Sequence, residues 1–172
     1  MCEPPGVGFH IEAGLGFDPV AQETVLLSDA EWVLALDDTA LFETYGVGCP
    51  AADEPRMQST MRPILGATMD LDAVWSRVRA SLLMIGSSRY KLGAVDLPID
   101  LSGLGVDGCW LQTSAELNVP PTSVSTNNHA RYRLAIPNDL ALRGKCVYAQ
   151  ALVLGLSSFG FTDGAVLRMG VR

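Results

Sequence analysis

Serine, histidine, aspartate and cysteine are the residues through which this 172-residue chain could act on a substrate. Their spacing decides how far each one goes. Ser157 lies in Gly155-Leu-Ser157-Ser-Phe159-Gly160. A nucleophile elbow of the G-x-S-x-G type needs glycine two places after the serine, and Phe159 stands there, with Gly160 one place late. The stretch reads as a turn between two strands. The only histidines, His10 and His129, fall at outward positions of expected strands, where solvation is a simpler fate than general-base work. Asp96, Asp100 and Asp107 lie in a glycine-rich stretch. A hard cation such as calcium needs several oxygen ligands together, yet no D-x-D-x-D-G run occurs, so these aspartates are expected to cap turns. Asp70 and Asp72 share one face of a strand and read as a wet face rather than an acid/base pair. No phosphate-binding G-x-x-x-x-G-K-[ST] run exists. The expectation is a protein that is not an enzyme, with no catalytic residue, no metal and no cofactor.

Carbohydrate binding would require an exposed aromatic platform. Trp110 is expected to point opposite to Leu111, and Tyr90 sits in a loop-like segment, so these two are the candidates for a ligand platform. Trp32 and Trp75 fall on the apolar side of alternating runs and are expected in the core. Aromatic residues make up only 7% of the chain, and most of them are needed for packing.

The elements that must position these residues are strands. Val7, Phe9 and Ile11 alternate with Gly8 and His10, and Trp32, Leu34 and Leu36 oppose Val33 and Ala35. Ala130, Tyr132, Leu134 and Ile136 alternate with His129, Arg131 and Arg133, the signature of a strand with one buried and one wet face. Residues 69–84 are ambiguous between a helix and two strands. The alternation of Met69, Leu71, Ala73 and Trp75 favours two strands joined near Ser76. Cys146 to Leu154 is apolar on both faces, as a central strand would be. Pro120-Pro121, Asn127-Asn128, Pro137-Asn138-Asp139 and Asp163-Gly164 supply turns between these runs. Short strands at this spacing lead to an all-β, antiparallel β-sandwich, jelly-roll-like or Ig-like, with a β-rich N-terminal arm.

Charge divides the chain in two. Residues 1–55 hold eleven acidic residues and no lysine or arginine, so they carry −11; residues 56–172 carry +4, giving the net −7. Charged residues are 18% of the total, below the roughly 25% of an average soluble domain. A net acidic chain argues against nucleic acid as a partner, because phosphate binding needs a basic face. No stretch approaches the length of a membrane-spanning helix. Met1-Cys2-Glu3-Pro4-Pro5 shows neither the basic start nor the apolar stretch of a secretory signal. Two consequences of the charge split stand open. Either the acidic N-terminal strands meet the basic face of their own module, or they add to a neighbouring copy by strand addition, which would build an oligomer or polymer.

Cys2, Cys49, Cys109 and Cys146 are far apart, without the close spacing of a zinc site. They allow three disulfide pairings, and free thiols are an alternative.

From Tyr45 onward a string of short motifs appears. It runs Tyr45-Gly-Val-Gly-Cys49-Pro50, Pro63-Ile-Leu-Gly66, Leu83-Met-Ile-Gly86-Ser87, Leu97-Pro98-Ile-Asp100-Leu101, Gly108-Cys109-Trp-Leu111, Ile136-Pro137-Asn138-Asp139, Leu142-Arg-Gly144 and Tyr148-Ala-Gln150-Ala151. In this order the motifs resemble a β-rich module found mostly at the C-terminal end of large secreted bacterial proteins. The resemblance covers roughly residues 45–172 and leaves residues 1–44 as an acidic N-terminal segment or arm. It implies a secreted, non-catalytic β-sandwich, extracellular or at the cell surface, without a cofactor. It also implies a disulfide between Cys49 and Cys109, which would close a loop worth about 4 kcal/mol in the chain-entropy model. Cys2 and Cys146 have no counterpart in that pattern and are left as a second pair within the chain, as a link between chains, or as free thiols. The function expected is a structural or surface module that self-associates through its N-terminal strands, with a carbohydrate- or ligand-binding module as the alternative.

Overall fold

Alternating burial along each long run of the chain produces strands and almost nothing else. The computed structural model describes residues 39–49, 54–76, 78–125, 128–155 and 159–172. In chain order the strands are β1 (Leu41–Tyr45), β2 (Arg56–Gln58), β3 (Thr68–Val74), β4 (Ala80–Gly86), β5 (Lys91–Leu92), β6 (Val95–Asp96) and β7 (Ile99–Asp100). They continue as β8 (Trp110–Leu111), β9 (Leu117–Val119), β10 (Ser123–Ser125), β11 (His129–Ala135), β12 (Cys146–Leu154), β13 (Phe159–Phe161) and β14 (Gly164–Arg168). Short 3-10 turns at Ser102–Leu104 and Leu140–Leu142 are the only helical pieces among the described residues.

The larger sheet has the order β1-β14-β12-β4-β9, with β13 continuing along β12 beyond β14. Its centre is β12, apolar on both faces apart from Gln150. The second sheet has the order β10-β11-β3-β2, and every pairing in both sheets is antiparallel. Two small hairpins, β5-β6 and β7-β8, stand apart from them. The ambiguous run at 69–84 is two strands, β3 and β4. Trp75, at the end of β3, is buried as expected. Asn128 has φ 68°, the left-handed conformation expected at the turn into β11. The strands expected at Val7–Ile11, Thr24–Leu27 and Trp32–Leu36 lie outside the described residues, as do His10 and Ser157.

One core is lined by both larger sheets. Leu83, Ala149, Ala151, Val153, Ala165 and Leu167 face it from the first, and Met57, Met69, Leu71, Ala73, Ala130 and Tyr132 from the second. Removing such side chains from water is the main stabilising term. The outward faces of β3 and β11 are joined by charge. Arg131 Nε and Nη2 donate to the two carboxylate oxygens of Asp72 at 2.8 and 3.0 Å, and Arg133 does the same to Asp70 at 2.9 and 3.3 Å. Both pairs sit directly opposite one another in register. The wet face expected for Asp70 and Asp72 is therefore a ladder of forked ion pairs.

A smaller cluster forms around the Cys49–Cys109 disulfide, with Leu101 buried beside it and Ile99, Val106, Leu111 and Phe161 packed against it. The two cysteines are 60 residues apart in sequence. Backbones approach closely here, and glycine permits it. A Cβ on Gly48 would stand 2.0 Å from the Phe161 carbonyl oxygen, and one on Gly86 would stand 1.8 Å from that of Ser114. Both distances are impossible for a real side chain, which explains the glycine in each of those two motifs.

Candidate functional site

The aromatic residue expected to serve a ligand lies in a cluster built from three parts of the chain. Tyr45 ends β1, Tyr148 lies on β12, and Arg89 and Tyr90 occupy the turn after β4. The Tyr45 and Tyr148 rings meet edge to face, with centroids 6.1 Å apart and planes at 88°. The Arg89 guanidinium stands 5.5 Å from the Tyr45 ring centre and 4.9 Å from that of Tyr90. Both distances lie within the range of cation–π attraction. Arg89 Nη2 donates to the Tyr90 hydroxyl at 2.5 Å. Tyr45 donates its hydroxyl proton to the Gln112 carbonyl at 2.9 Å.

These surroundings keep the Tyr45 phenol neutral and the Arg89 guanidinium charged. Burial pushes the Tyr45 hydroxyl far above the ordinary tyrosine value, and the hydrogen bond to Tyr90 raises Arg89 further above its own. The Nε of Arg89 is buried and meets no hydrogen-bond acceptor. Tyr90 remains 46% exposed. A flat ring next to a cation can stack against a sugar face or an aromatic ligand, and it offers hydrogen bonds at its rim.

Trp110, the other expected platform residue, is half-buried on β8, and its main chain is engaged on both sides. Its N–H donates to the Gly48 carbonyl at 2.8 Å, and its carbonyl accepts from Gln150 Nε2 at 2.9 Å. Gln150 is the buried polar hub of this region, with no exposed surface. Its second Nε2 proton goes to the Thr162 carbonyl at 2.7 Å, and its Oε1 accepts from the Gln112 N–H at 2.8 Å. Gln150 thus ties the segment next to Cys109 to the middle of the larger sheet. Sequence reasoning noted Gln150 only as part of a motif. Arg89, Tyr45 and Tyr148 were missed as neighbours of Tyr90, because positions 45, 89 and 148 meet only through the pairing of β1, β14, β12 and β4.

The remaining candidates stay apart. Asp100 accepts from the N–H and hydroxyl of Ser102 at 2.9 and 2.6 Å, the turn-capping role expected of it. Asp96 pairs with Lys91 across the β5-β6 hairpin. Asp107 is exposed. Among the described residues no three metal-ligating side chains converge. His129 opens β11 half-buried, opposite Val74. Cys146 is disulfide-bonded, and Cys2 lies outside the described residues.

The fold and site define an all-β protein with several antiparallel sheets and a disulfide, and a persistent disulfide points to an oxidising compartment. Among the described residues no helix is long and apolar enough to cross a membrane. No protein-family model, curated protein or solved structure matches the chain.

Proposed function

We propose that this chain is a non-catalytic, extracellular structural or cell-surface module built as a two-layer β-sandwich. The observation that carries the reading is how its reactive side chains are spent. Asp70 and Asp72 are forked onto arginines across strands, Asp100 caps a turn, and Ser81 bonds to Tyr132 within the core. Asp163 accepts from the Met57 N–H at 2.6 Å. Groups used in this way hold a framework and do not present themselves to a substrate. The disulfide and the motif order support an extracellular setting.

Association of copies by strand addition belongs to the same reading. Among the described residues β9 and β10 end the two larger sheets, and they expose Leu117 and Val124. An edge strand offers main-chain groups to a further strand. Light scattering and native mass measurement over a range of concentration and salt test this. Reversible growth beyond the monomer is expected, and a strict monomer throughout removes self-association. Hydrolysis of generic ester or glycoside substrates that is lost in Ser157→Ala would overturn the non-catalytic reading.

The Arg89–Tyr90 pair favours one alternative, a carbohydrate- or ligand-binding module. On that reading a glycan array gives binding that is lost in Tyr90→Ala, while Trp110→Ala acts mainly on stability. A blank array removes it.

A further inference from the structure

Arg89 is a half-buried cation without a counter-charge. Among the described residues no carboxylate forms an ion pair with it. The carboxylates of the adjoining elements are spent elsewhere. Asp96 pairs with Lys91, and Glu116 accepts from the N–H and hydroxyl of Ser87 at 3.0 and 2.9 Å. What surrounds the guanidinium is aromatic: the rings of Tyr45 and Tyr90, with Tyr148 behind Tyr45. A guanidinium carries several N–H donors. Here Nη2 meets the Tyr90 hydroxyl, and the buried Nε meets no acceptor.

The cation and its rings are held in place from behind. Tyr45 lies directly opposite Gly164 in register, and its ring rests on that glycine: a Cβ there would stand 2.6 Å from Tyr45 Cζ. The Tyr45 hydroxyl is tied to the Gln112 carbonyl. The turn that carries Arg89 and Tyr90 is pinned by Ser88, whose Oγ accepts from the N–H groups of Tyr90 and Lys91, both at 3.0 Å. The Ser88 carbonyl in turn accepts from the Ser114 N–H at 2.8 Å. A site on supports of this kind gives up little freedom when a ligand arrives.

We propose that Arg89 and Tyr90 form a binding site for acidic glycans, with Arg89 receiving a sugar carboxylate and the exposed Tyr90 ring stacking against the sugar face. The proposal rests on the ligand-binding reading of this pair and names its ligand class. Withdrawing a cation from water costs free energy that neighbouring rings offset only in part. A planar carboxylate matches the donor fork of a guanidinium and supplies the missing charge. A neutral sugar would use the ring and leave the cation unpaired. A uronate or sialate brings an apolar ring face and an anion on one small unit, which is the combination that Tyr90 and Arg89 present.

The test uses the full oxidised chain on an array of uronate- and sialate-bearing glycans, each printed beside its uncharged methyl ester and a sulfated counterpart. Carboxylated glycans should bind, their esters should not, and the signal should fall as salt rises. Arg89→Gln should weaken binding about tenfold or more, and Arg89→Lys should restore only part of it. The ester comparison on wild type keeps the test decisive where a variant folds poorly. Equal binding of acid and ester, or acid binding that survives Arg89→Gln, overturns the proposal. Binding of the sulfated glycans alone overturns the carboxylate assignment. Neutral glycans that bind and are lost in Tyr90→Ala would remove the acidic class and keep the ligand-binding reading, whereas a blank array removes both.

Discussion

Ser81 on β4 and Tyr132 on β11 share a hydrogen bond across the core, so one polar contact joins the two larger sheets. Ser81 Oγ also lies 2.8 Å from the Leu152 carbonyl, to which its proton goes, leaving the tyrosine to donate to the serine oxygen. Burial raises the Tyr132 hydroxyl to about 12, so it stays a neutral donor at any ordinary pH. The two residues are not equivalent. Tyr132→Phe removes one donor and leaves Ser81 bonded to Leu152, at a cost of about 1 kcal/mol. Ser81→Ala strands both the Tyr132 hydroxyl and the Leu152 carbonyl, at a cost of about 2–3 kcal/mol. Urea unfolding of the two variants should preserve that order, and a larger loss for Tyr132→Phe would reverse the donor assignment.

Gln150 serves three segments at once, through Trp110, Gln112 and Thr162. Gln150→Leu fills similar volume and leaves three buried main-chain groups unpaired. A loss of at least ~3 kcal/mol is expected on denaturant unfolding. A loss below ~1 kcal/mol would mean that those groups find other partners.

Asp163 is held above the ordinary aspartate value by burial, with nearby Glu54 adding to the rise, although the Met57 N–H and the Thr44 side chain oppose it. The sign follows from linkage. The folded state binds this proton more tightly than the unfolded chain does. The stability this group contributes is therefore complete below the ordinary aspartate pKa and is lost as pH rises through the raised folded value. Asp163→Asn keeps an acceptor for Met57 and removes the titration. Its thermal midpoint should gain on wild type between about pH 3 and pH 7. A constant difference across that range would rule the titration out.

Asp70 on β3 acts in the opposite direction, and weakly. Arg133 holds Asp70 below the ordinary carboxylate value, so its contribution is present above that value and fades as pH falls through the lowered one. Both arginines are substantially exposed, which screens the pairs. Arg131→Ala and Arg133→Ala should each lower the urea midpoint only slightly, and by less in high salt. A loss that salt does not reduce would place these pairs in a drier setting than their exposure indicates.

Replacing Cys49 and Cys109 together by serine opens a 60-residue loop. The expected loss is about 4 kcal/mol in the chain-entropy model, read as a lower denaturation midpoint in the variant and in reduced wild type. Equal midpoints for oxidised and reduced protein would show that the packing of Leu101, Leu111 and Phe161 suffices without the bond.

Short-range information carried most of the framework. Alternation at Met69–Ala73, Ala130–Ile136 and Ala165–Met169 was readable because a strand with one buried face repeats every two residues. The two-faced apolarity of Cys146–Leu154 marked the central strand for the same reason. Asp100, Asn128 and the turn residues were legible because their roles need only neighbours a few positions away. Tyr90 was visible as an aromatic in a loop, whereas its partners Arg89 and Tyr45 were not, since nothing local links positions 45 and 89.

The sequence by itself determined that the described residues are built of antiparallel strands, which face of each long strand is buried, and that the excess of acidic charge falls in the first third of the chain. Those properties follow from side-chain period and composition. Only the tertiary structure decided that Asp70 and Asp72 are matched by Arg133 and Arg131. It also decided that Ser81 meets Tyr132 between two sheets and that Gln150 is spent on three backbone groups. Each of these depends on strand order and register, which bring together residues tens of positions apart and which no local pattern encodes.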